Sequence, residues 1–360
     1  MVASPRRSYN VENRTVYFDP LFATMFGAFG LAFGSFLNVC IYRLPRRIVL
    51  LDNRDLLAQA DTGSSRELEE VEAELQVTKM WGTRSACPHC KQLIGWYDNI
   101  PVVSWLLLHG RCRRCKSAIS PRYLVVELLT SAAFLACYWQ FGGGLSAVKY
   151  CAFSFFLLGL VFTDAEWKLL PDALTFPGLA IGLAISLVVP VNDLASRLLP
   201  WLGMIGTGAP PWTWHWRLAS LAQSVLGAIV GAAFIYGAGM LYLRMRPDLA
   251  KRGKDVMGLG DVKLMAMIGA FLGASLTVFT LFAASIVGAV WGVVVVTIVW
   301  LKRLRRQRLR HQPANRAWRS AVTAFRFFQV PFGVFLGSMA LVAAFFGDDV
   351  LRWYASFFVY

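Results

Sequence analysis

The sequence predicts an all-α integral membrane protein with about eight transmembrane helices and a soluble loop domain between the first two. Of its 360 residues, 57% are hydrophobic, and the mean hydropathy is +0.52, which is too apolar for a soluble protein of this size. Several runs near twenty residues carry few or no charges. A helix of about 20 apolar residues crosses the hydrocarbon layer of a bilayer, so these runs are interpreted as spans.

The apolar runs divide the chain into three predicted parts. Residues 1–42 form an N-terminal tail and the first span, which begins near residue 18. Residues 43–122 are largely polar and form the one sizeable soluble part. Residues 123–360 form a polytopic membrane domain. Its spans are predicted at residues 123–139, 147–162, 173–189, 218–243, 261–272, 274–301 and 328–346.

A short helix is predicted inside the soluble part. The segment Ser64-Ser65-Arg66-Glu67 resembles a capping box, which marks the start of a helix. Leu68, Val71 and Leu75 follow at helical spacing. We therefore expect an amphipathic helix that packs one face and leaves the other in water.

Basic residues are distributed unevenly between the two sides of the predicted membrane domain. If the loop after the first span is cytoplasmic and the spans alternate, segments 43–122, 164–172, 244–260 and 302–327 lie on that side. They hold 28 of the 36 Lys and Arg residues. Cytoplasmic loops are enriched in these residues, so the soluble part is predicted to be cytoplasmic. The net charge of +15 then favours contact with membrane lipids and not with nucleic acid.

A tryptophan-rich segment is predicted on the opposite side. Residues 190–217 contain four tryptophans among proline and glycine, namely Trp201, Trp212, Trp214 and Trp216. Tryptophan favours the headgroup level of a bilayer. This segment is therefore expected to form an interfacial loop or helix.

Two aspartates lie at the cytoplasmic ends of predicted spans. Asp261 follows Gly258-Leu259-Gly260 and begins the sixth span, whereas Asp164 ends the third span. The alternation of spans places both aspartates at the same depth and on the same face. Carboxylates inside membrane domains are costly, so they usually have a partner or a function. We expect Asp164 and Asp261 to share one site.

Two neighbouring carboxylates do not both ionise easily, so they share one proton. One can then act as a base toward water and the other as an acid toward a carbonyl, which is the chemistry of aspartic peptidases. Two alternatives stay open on these residues alone. The aspartates can cap helix ends or pair with cations such as Lys168 and Lys263, or they can carry protons or ions.

A third aspartate, Asp172, is predicted to have a structural role. It lies eight residues after Asp164, which is about 12 Å along a helix, and Pro171 lies between them. These two carboxylates therefore do not pair easily. We expect Asp172 to be the N-cap of the fourth span, three residues before Thr175.

The soluble part contains two CxxC pairs, Cys87 with Cys90 and Cys112 with Cys115. Four thiolates in this arrangement are typical of a tetrahedral zinc site. Disulfides are the alternative, and a reducing cytoplasm disfavours them. We predict a structural zinc ion bound by all four cysteines, with no open position for catalysis.

Five motifs resemble the type IV prepilin peptidase family, whose members are intramembrane aspartic proteases with a GxGD motif. They occur in the family's order over residues 30–340. They are Gly34-Ser35-Phe36-Leu37-Asn38-Val39 with Arg43-Leu44-Pro45, Asn99-Ile100-Pro101-Val102-Val103-Ser104, Arg122-Tyr123 with Val126-Glu127-Leu128, Asp164-Ala165-Glu166 with Leu170-Pro171-Asp172, and Gly258-Leu259-Gly260-Asp261.

The resemblance implies a bifunctional enzyme of the bacterial inner membrane. It implies cleavage of the basic leader from type IV prepilins or type II secretion pseudopilins at the cytoplasmic face, with Asp164 and Asp261 as the catalytic pair. It also implies N-methylation of the new terminal residue with S-adenosylmethionine, and it associates the tetracysteine part with this second activity. The ligands of S-adenosylmethionine are not identified by any motif in the chain.

The chain departs from the family pattern near its last span. Family members often have proline after Pro331-Phe332-Gly333, whereas this chain has Val334. Segments 46–84 and 190–217 are also longer than the family needs. Besides the bifunctional enzyme, two hypotheses stay open: a peptidase whose methyltransferase half is inactive, and a non-enzymatic ion channel or transporter.

Overall fold

The computed structural model describes residues 19–59, 65–79, 84–191, 214–245, 258–308 and 331–357, and these residues confirm an all-helical fold. Helices α1–α6 are Pro20–Gln59, Ser65–Val77, Val103–Leu107, Arg122–Phe141, Leu145–Trp167 and Asp172–Ser186. Helices α7–α10 are Trp214–Met245, Leu259–Leu272, Ala274–Arg308 and Phe332–Ser356. The β-type pairing in the described ranges is limited to two isolated bridges, Ala86–Leu93 and Arg111–Ala118.

Six of the described helices are long and apolar enough to cross a membrane, namely α1, α4, α5, α7, α9 and α10. The other two predicted spans are also helices, but α6 has 15 residues and α8 has 14. At 1.5 Å per residue, α8 is about 21 Å long, which is shorter than the hydrocarbon layer. The predicted spans therefore all form helices, but two of them are too short to cross the layer unaided.

Helix α1 extends well beyond the predicted first span. That span is predicted to end at residue 42, but α1 continues to Gln59 with Pro45 inside it. Proline removes one helical hydrogen bond, yet Leu44 and Leu50 are both buried. Packing of these side chains stabilises the extension, which the sequence alone presents as the start of a polar loop.

Helix α2 packs against this extension of α1 and confirms the predicted amphipathic helix. Leu75 is buried, and Arg46 of α1 forms an ion pair with Glu74 at 2.9 Å. Ser64, the first residue of the predicted capping box, lies outside the described residues. The apolar face of α2 therefore faces α1, and its acidic face is exposed.

The core of the membrane domain contains buried side chains from most of its helices, with α5 and α8 among them. Met265, Ile268 and Phe271 of α8 are fully buried, and Phe271 packs against Phe153 of α5 with ring centroids 4.8 Å apart. A helix that is apolar all round is enclosed by other helices. Helix α8 is therefore an internal element of the bundle, and it places its N-terminus beside the end of α5.

Helices α7 and α8 approach each other closely at glycines. A Cβ atom on Gly269 would lie 2.1 Å from the carbonyl oxygen of Gly227, and one on Gly231 would lie 2.4 Å from the carbonyl oxygen of Met265. Small residues allow this backbone contact between membrane helices. The contact fixes the position of α8, and thus of Asp261 near its start.

The outer face of the bundle is apolar. Phe282, Ile286, Val290 and Val293 of α9 are all exposed, as expected of side chains that contact lipid. Two predicted surface features fall mainly outside the described residues. These are the tryptophan-rich segment, of which Trp214 and Trp216 begin α7, and the basic run after residue 308.

Candidate active site

Asp164 and Asp261 lie next to each other at one end of the membrane bundle. Asp164 is in the last turn of α5, and Asp261 is in the first turn of α8. Asp164 is 6% exposed, Asp261 is half-buried, and the two carboxylates are close enough to interact electrostatically. The opposite chain directions of α5 and α8 bring these two helix ends together.

The N-terminus of α10 contacts Asp164. The backbone N–H of Val334 donates a hydrogen bond of 2.9 Å to Oδ2 of Asp164. A Cβ atom on Gly333 would lie 2.8 Å from the same oxygen, so a larger residue there would displace the Asp164 carboxylate. Sequence reasoning missed this contact, because a backbone donor leaves no trace in the residue type.

Glycine also allows the α5–α6 connection to pass over the start of α8. A Cβ atom on Gly260 would lie 3.0 Å from Cβ of Leu170, and one on Gly333 would lie 3.4 Å from Cδ1 of Leu170. Leu170 therefore lies between the starts of α8 and α10. The glycine before Asp261 serves close packing at this point, where a larger residue would displace the connection.

Two ion pairs border the aspartates. Lys263 contacts both carboxylate oxygens of Asp172 at 2.7 and 2.8 Å, and Arg122 contacts Glu166 at 2.5 Å. Lys263 therefore pairs with α6 and not with either member of the aspartate pair. This arrangement speaks against the alternative in which Lys263 serves as the counter-ion of Asp261.

The prediction that Asp172 is the N-cap of α6 is wrong. Pro171 occupies the N-cap position, and Asp172 is the first helical residue, without a side-chain capping bond. The N–H of Thr175 bonds to the carbonyl of Pro171 at 3.2 Å. The Asp172 carboxylate forms an ion pair with Lys263 instead, and this ion pair links α6 to α8.

The four predicted zinc ligands form one cluster. The sulfur atoms of Cys87, Cys90, Cys112 and Cys115 all lie within 4.8 Å of one another. Cys87 is buried, whereas Cys115 is exposed. Four thiols at this separation can hold one tetrahedral metal ion, so the chemistry and placement of the donors fit the expected zinc.

Each CxxC pair forms the same turn. The N–H of Cys87 bonds to the carbonyl of Gln92 at 2.9 Å, and the N–H of Cys112 bonds to the carbonyl of Ser117 at 2.9 Å. Lys91 and Lys116, one residue past each pair, both have a φ of 58°. Two matching turns therefore present two cysteines each to one centre.

Polar neighbours support these turns. The Ser117 hydroxyl lies 3.1 Å from the Cys115 sulfur. Hydrogen bonds from this hydroxyl, from the Ser117 backbone and from the neighbouring cysteines lower the pKa of the Cys115 thiol to about 6, which favours the metal-binding thiolate. Arg113 donates hydrogen bonds of 2.6 to 3.0 Å to Asp98, and this lowers the pKa of the Asp98 carboxyl.

Glu127 connects the tetracysteine part to the membrane helices. Its Oε2 accepts a 2.8 Å hydrogen bond from the N–H of Val102, and it also bonds the Ser35 side chain. Val102 has φ 61° and ψ −51°, and Val103 N–H bonds to the Pro101 carbonyl at 2.5 Å. This is a strained γ-turn at a β-branched residue. Both Val102 and Glu127 belong to motifs identified in the sequence, but the sequence does not show that they are in contact.

A cavity of about 300 Å³ lies between the extension of α1 and α2. It is lined by Arg47, Leu51, Arg54, Glu72, Leu75, Gln76 and Lys79. Its mixed charges suit the amino-acid end of S-adenosylmethionine, but it offers no aromatic or extended apolar wall for adenine. The residues described around this cavity therefore do not form a complete site for that cofactor, and we assign no residue to it.

Comparison with known proteins matches most of the chain. Residues 28–141 match the bacterial peptidase A24 N-terminal domain, and residues 151–293 match the type IV leader peptidase family. A prepilin leader peptidase/N-methyltransferase of Stutzerimonas stutzeri is 32% identical over 330 residues, 91% of this chain and 92% of that protein. One of Dichelobacter nodosus is 34% identical over 272 residues, 76% of this chain and 82% of that protein. No solved structure matches the chain.

Proposed function

Because the chain belongs to the type IV leader peptidase family, we propose that it cleaves the leader peptide from prepilins and methylates the new N-terminal residue. The observation that carries the peptidase part is the meeting of Asp164 and Asp261 from separate helices at one end of the bundle. The curated relatives are named for both activities. We extend the prepilin substrate class to include type II secretion pseudopilins.

In the proposed cleavage, the two aspartates share one proton. One carboxylate takes a proton from a water molecule as the water oxygen attacks the scissile carbonyl, and the other carboxyl gives its proton to the carbonyl oxygen. The surrounding apolar helices limit access of bulk water, so the two groups act on one bound water molecule.

The proposed site of this reaction is the cytoplasmic face of the bacterial inner membrane. The chain is a multi-pass membrane protein with six helices, among those described, that are suited to span the bilayer. The excess of Lys and Arg in segments on the same side as Asp164 and Asp261 supports the cytoplasmic assignment. A basic leader would approach the site from this side.

Methylation is proposed for the part of the chain that carries the four cysteines. We propose three units: residues 1–42 as tail and first span, 43–122 as the methyltransferase part, and 123–360 as the peptidase part. Zinc, bound by the cysteine cluster, would hold the two turns together and leave no open coordination position. S-adenosylmethionine would supply the methyl group.

The test is a cleavage assay in proteoliposomes with the wild type, Asp164→Asn and Asp261→Asn. We expect wild-type protein to cleave a prepilin and each Asn variant to lose at least about 10²-fold in rate, since each removes one proton-transfer group. Asp172→Asn is the matched control, because this nearby carboxylate pairs with Lys263 and should not be required. Full cleavage by either Asn variant of the pair would contradict the proposal.

The same assay separates the remaining hypotheses. Mass spectrometry of the mature N-terminus, with and without S-adenosylmethionine, shows whether a methyl group is added. Cleavage without methylation would indicate an inactive methyltransferase half. Ion flux through the liposomes without any cleavage would indicate a channel or transporter.

A further inference from the structure

The two aspartates of the site have unequal surroundings. Asp164 is almost fully buried and accepts hydrogen bonds from the backbone N–H groups of Val334 and Gly333, whereas Asp261 is half-buried. Among the described residues, the Asp261 carboxylate has Asp164 as its charged neighbour and no N–H donor. A pair that shares one proton places that proton on the carboxyl that has fewer donors.

We infer that the backbone N–H groups at the start of α10, with Val334 as the principal donor, assign the two catalytic roles, so that Asp164 stays ionised as the base and Asp261 carries the shared proton as the acid. This inference rests on the proposed peptidase function. Val334 acts as a positioning residue, because it contacts Asp164 and not the reacting atoms. The proposed peptidase activity requires a pair, but it does not by itself say which member holds the proton.

The assignment gives a balanced reaction. Asp164 removes a proton from water while the water oxygen bonds to the scissile carbonyl carbon, and Asp261 gives its proton to the carbonyl oxygen. The tetrahedral product then breaks its C–N bond: Asp164 returns its proton to the leaving nitrogen, and a hydroxyl proton returns to Asp261. The pair ends with the same single proton with which it began.

The geometry of α10 explains why its N-terminus favours an anion. Val334 is the third residue of α10, and the first N–H groups of a helix have no partner within the helix. These N–H groups and the helix dipole stabilise a negative charge. No charged side chain occurs in α10 before Asp348, so the contribution of this helix to the site comes from its backbone.

The other charged groups around Asp164 are accounted for. On its own helix, Glu166 pairs with Arg122, and Lys168, the residue directly after this helix, lies within electrostatic range of Asp164. On α6 and α8, Asp172 and Lys263 pair with each other. Within the described residues, the remaining charge that faces Asp164 is Asp261 itself.

Val334→Pro removes one of the two backbone donors to Asp164 with little other change, and the Gly333 N–H remains. Proline is tolerated in the first turn of a helix, because the N–H there makes no helical bond. The preceding residue is Gly333, whose missing Cβ reduces the clash that proline imposes on its neighbour. Val334→Ala is the matched control, since it shortens the side chain and keeps the N–H.

The experiment is the pH dependence of kcat/KM for prepilin cleavage by the wild type and both Val334 variants. Loss of an N–H donor destabilises the ionised base, so the acidic limb of the Val334→Pro profile should move to higher pH by about one unit. Val334→Ala should keep the wild-type limb. An unmoved limb in folded Val334→Pro, or an equal shift in Val334→Ala, would overturn the inference.

A second measurement applies even if Val334→Pro does not fold. Thermal unfolding at neutral pH should show Asp164→Asn to be less stable than Asp261→Asn. In Asp164→Asn the only remaining carboxyl of the pair is Asp261, whose negative charge no backbone N–H of the described residues stabilises. Equal stabilities, or the reverse order, would overturn the inference. Failure of the peptidase proposal itself is distinct, because it would appear as cleavage by these Asn variants.

Discussion

Residues 84–119, which carry the four cysteines, hold their shape through backbone hydrogen bonds within two short turns, whereas the aspartate site is held by helices far apart in the chain. Cys87 and Cys112 each bond to the residue five positions later. Asp164, by contrast, is 97 residues from Asp261 and 170 from its donor Val334. One centre thus depends on local conformation, and the other on packing of the whole bundle.

This contrast indicates which kind of change should disrupt each centre. The cysteine turns bury little apolar surface, so the metal itself must stabilise them. The aspartate site lies in a packed core, so small changes of volume between helices should displace its carboxylates. Glu127 joins the two regions through Val102, so damage in either region is expected to reach the other at this contact.

The largest expected effect is loss of the metal. The double substitution Cys112→Ser with Cys115→Ser removes one whole turn's ligands, and the soluble part should lose its bound zinc, several kcal/mol of stability and its methylation activity. Cleavage should fall by less than about tenfold, because the double variant keeps both proton-transfer groups, Asp164 and Asp261. The measurements are metal content, methylation and cleavage of the purified protein.

Cys137→Ala is the control for this prediction, because Cys137 is buried in the membrane domain away from the cluster. It should keep stoichiometric zinc. If the double variant lost cleavage and methylation to the same extent, the two centres would not be separable in the way described above.

A smaller effect is expected from packing between α7 and α8. Gly269→Ala would place a Cβ atom 2.1 Å from the Gly227 carbonyl oxygen, so α8 must move. Overpacking of this kind costs about 1–3 kcal/mol. Cleavage should fall, because α8 carries Asp261, while zinc content and methylation of an already cleaved peptide should persist.

Gly237→Ala on α7 is the matched control, because a Cβ atom there meets nothing within 4 Å. It should leave cleavage unchanged and can raise stability by about 0.5–1 kcal/mol through helix propensity. Equal loss of cleavage in both variants would show that the glycine contact does not position α8.

The smallest effect is expected at the junction of the two regions. Val102→Gly removes a Cβ from a residue with φ 61°, so it should relieve strain and raise stability by about 1 kcal/mol. If the strained turn serves methylation, that activity should fall while cleavage is unchanged. Val103→Gly, at the first residue of α3, is the control and should lower stability by up to about 0.5–1 kcal/mol.

Much of this architecture could be predicted from the sequence, because its signals are local. Runs of apolar residues predict the helices of the membrane domain, and the CxxC spacing predicts the cysteine cluster. The alternation of spans predicts that Asp164 and Asp261 lie at one end of the bundle. Each inference needs only the order of residues and the thickness of a bilayer.

The details that could not be predicted depend on contacts between distant segments. The extension of α1 past residue 42 depends on burial of Leu44 and Leu50, and the role of Asp172 depends on Lys263 of another helix. The Val334 contact uses a backbone N–H, which every residue except proline has. The sequence identifies Val334 as a departure from the family pattern, but it does not show that Val334 contacts Asp164.

The central claim is that Asp164 and Asp261 act as one catalytic unit, and a double-mutant cycle on cleavage tests it most directly. Rates would be measured for wild type, Asp164→Asn, Asp261→Asn and the variant with both changes. Groups that act as a unit are non-additive, so the double variant should be no slower than the slower single variant. Losses that multiply in the double variant would contradict the claim, because they would show two groups acting independently.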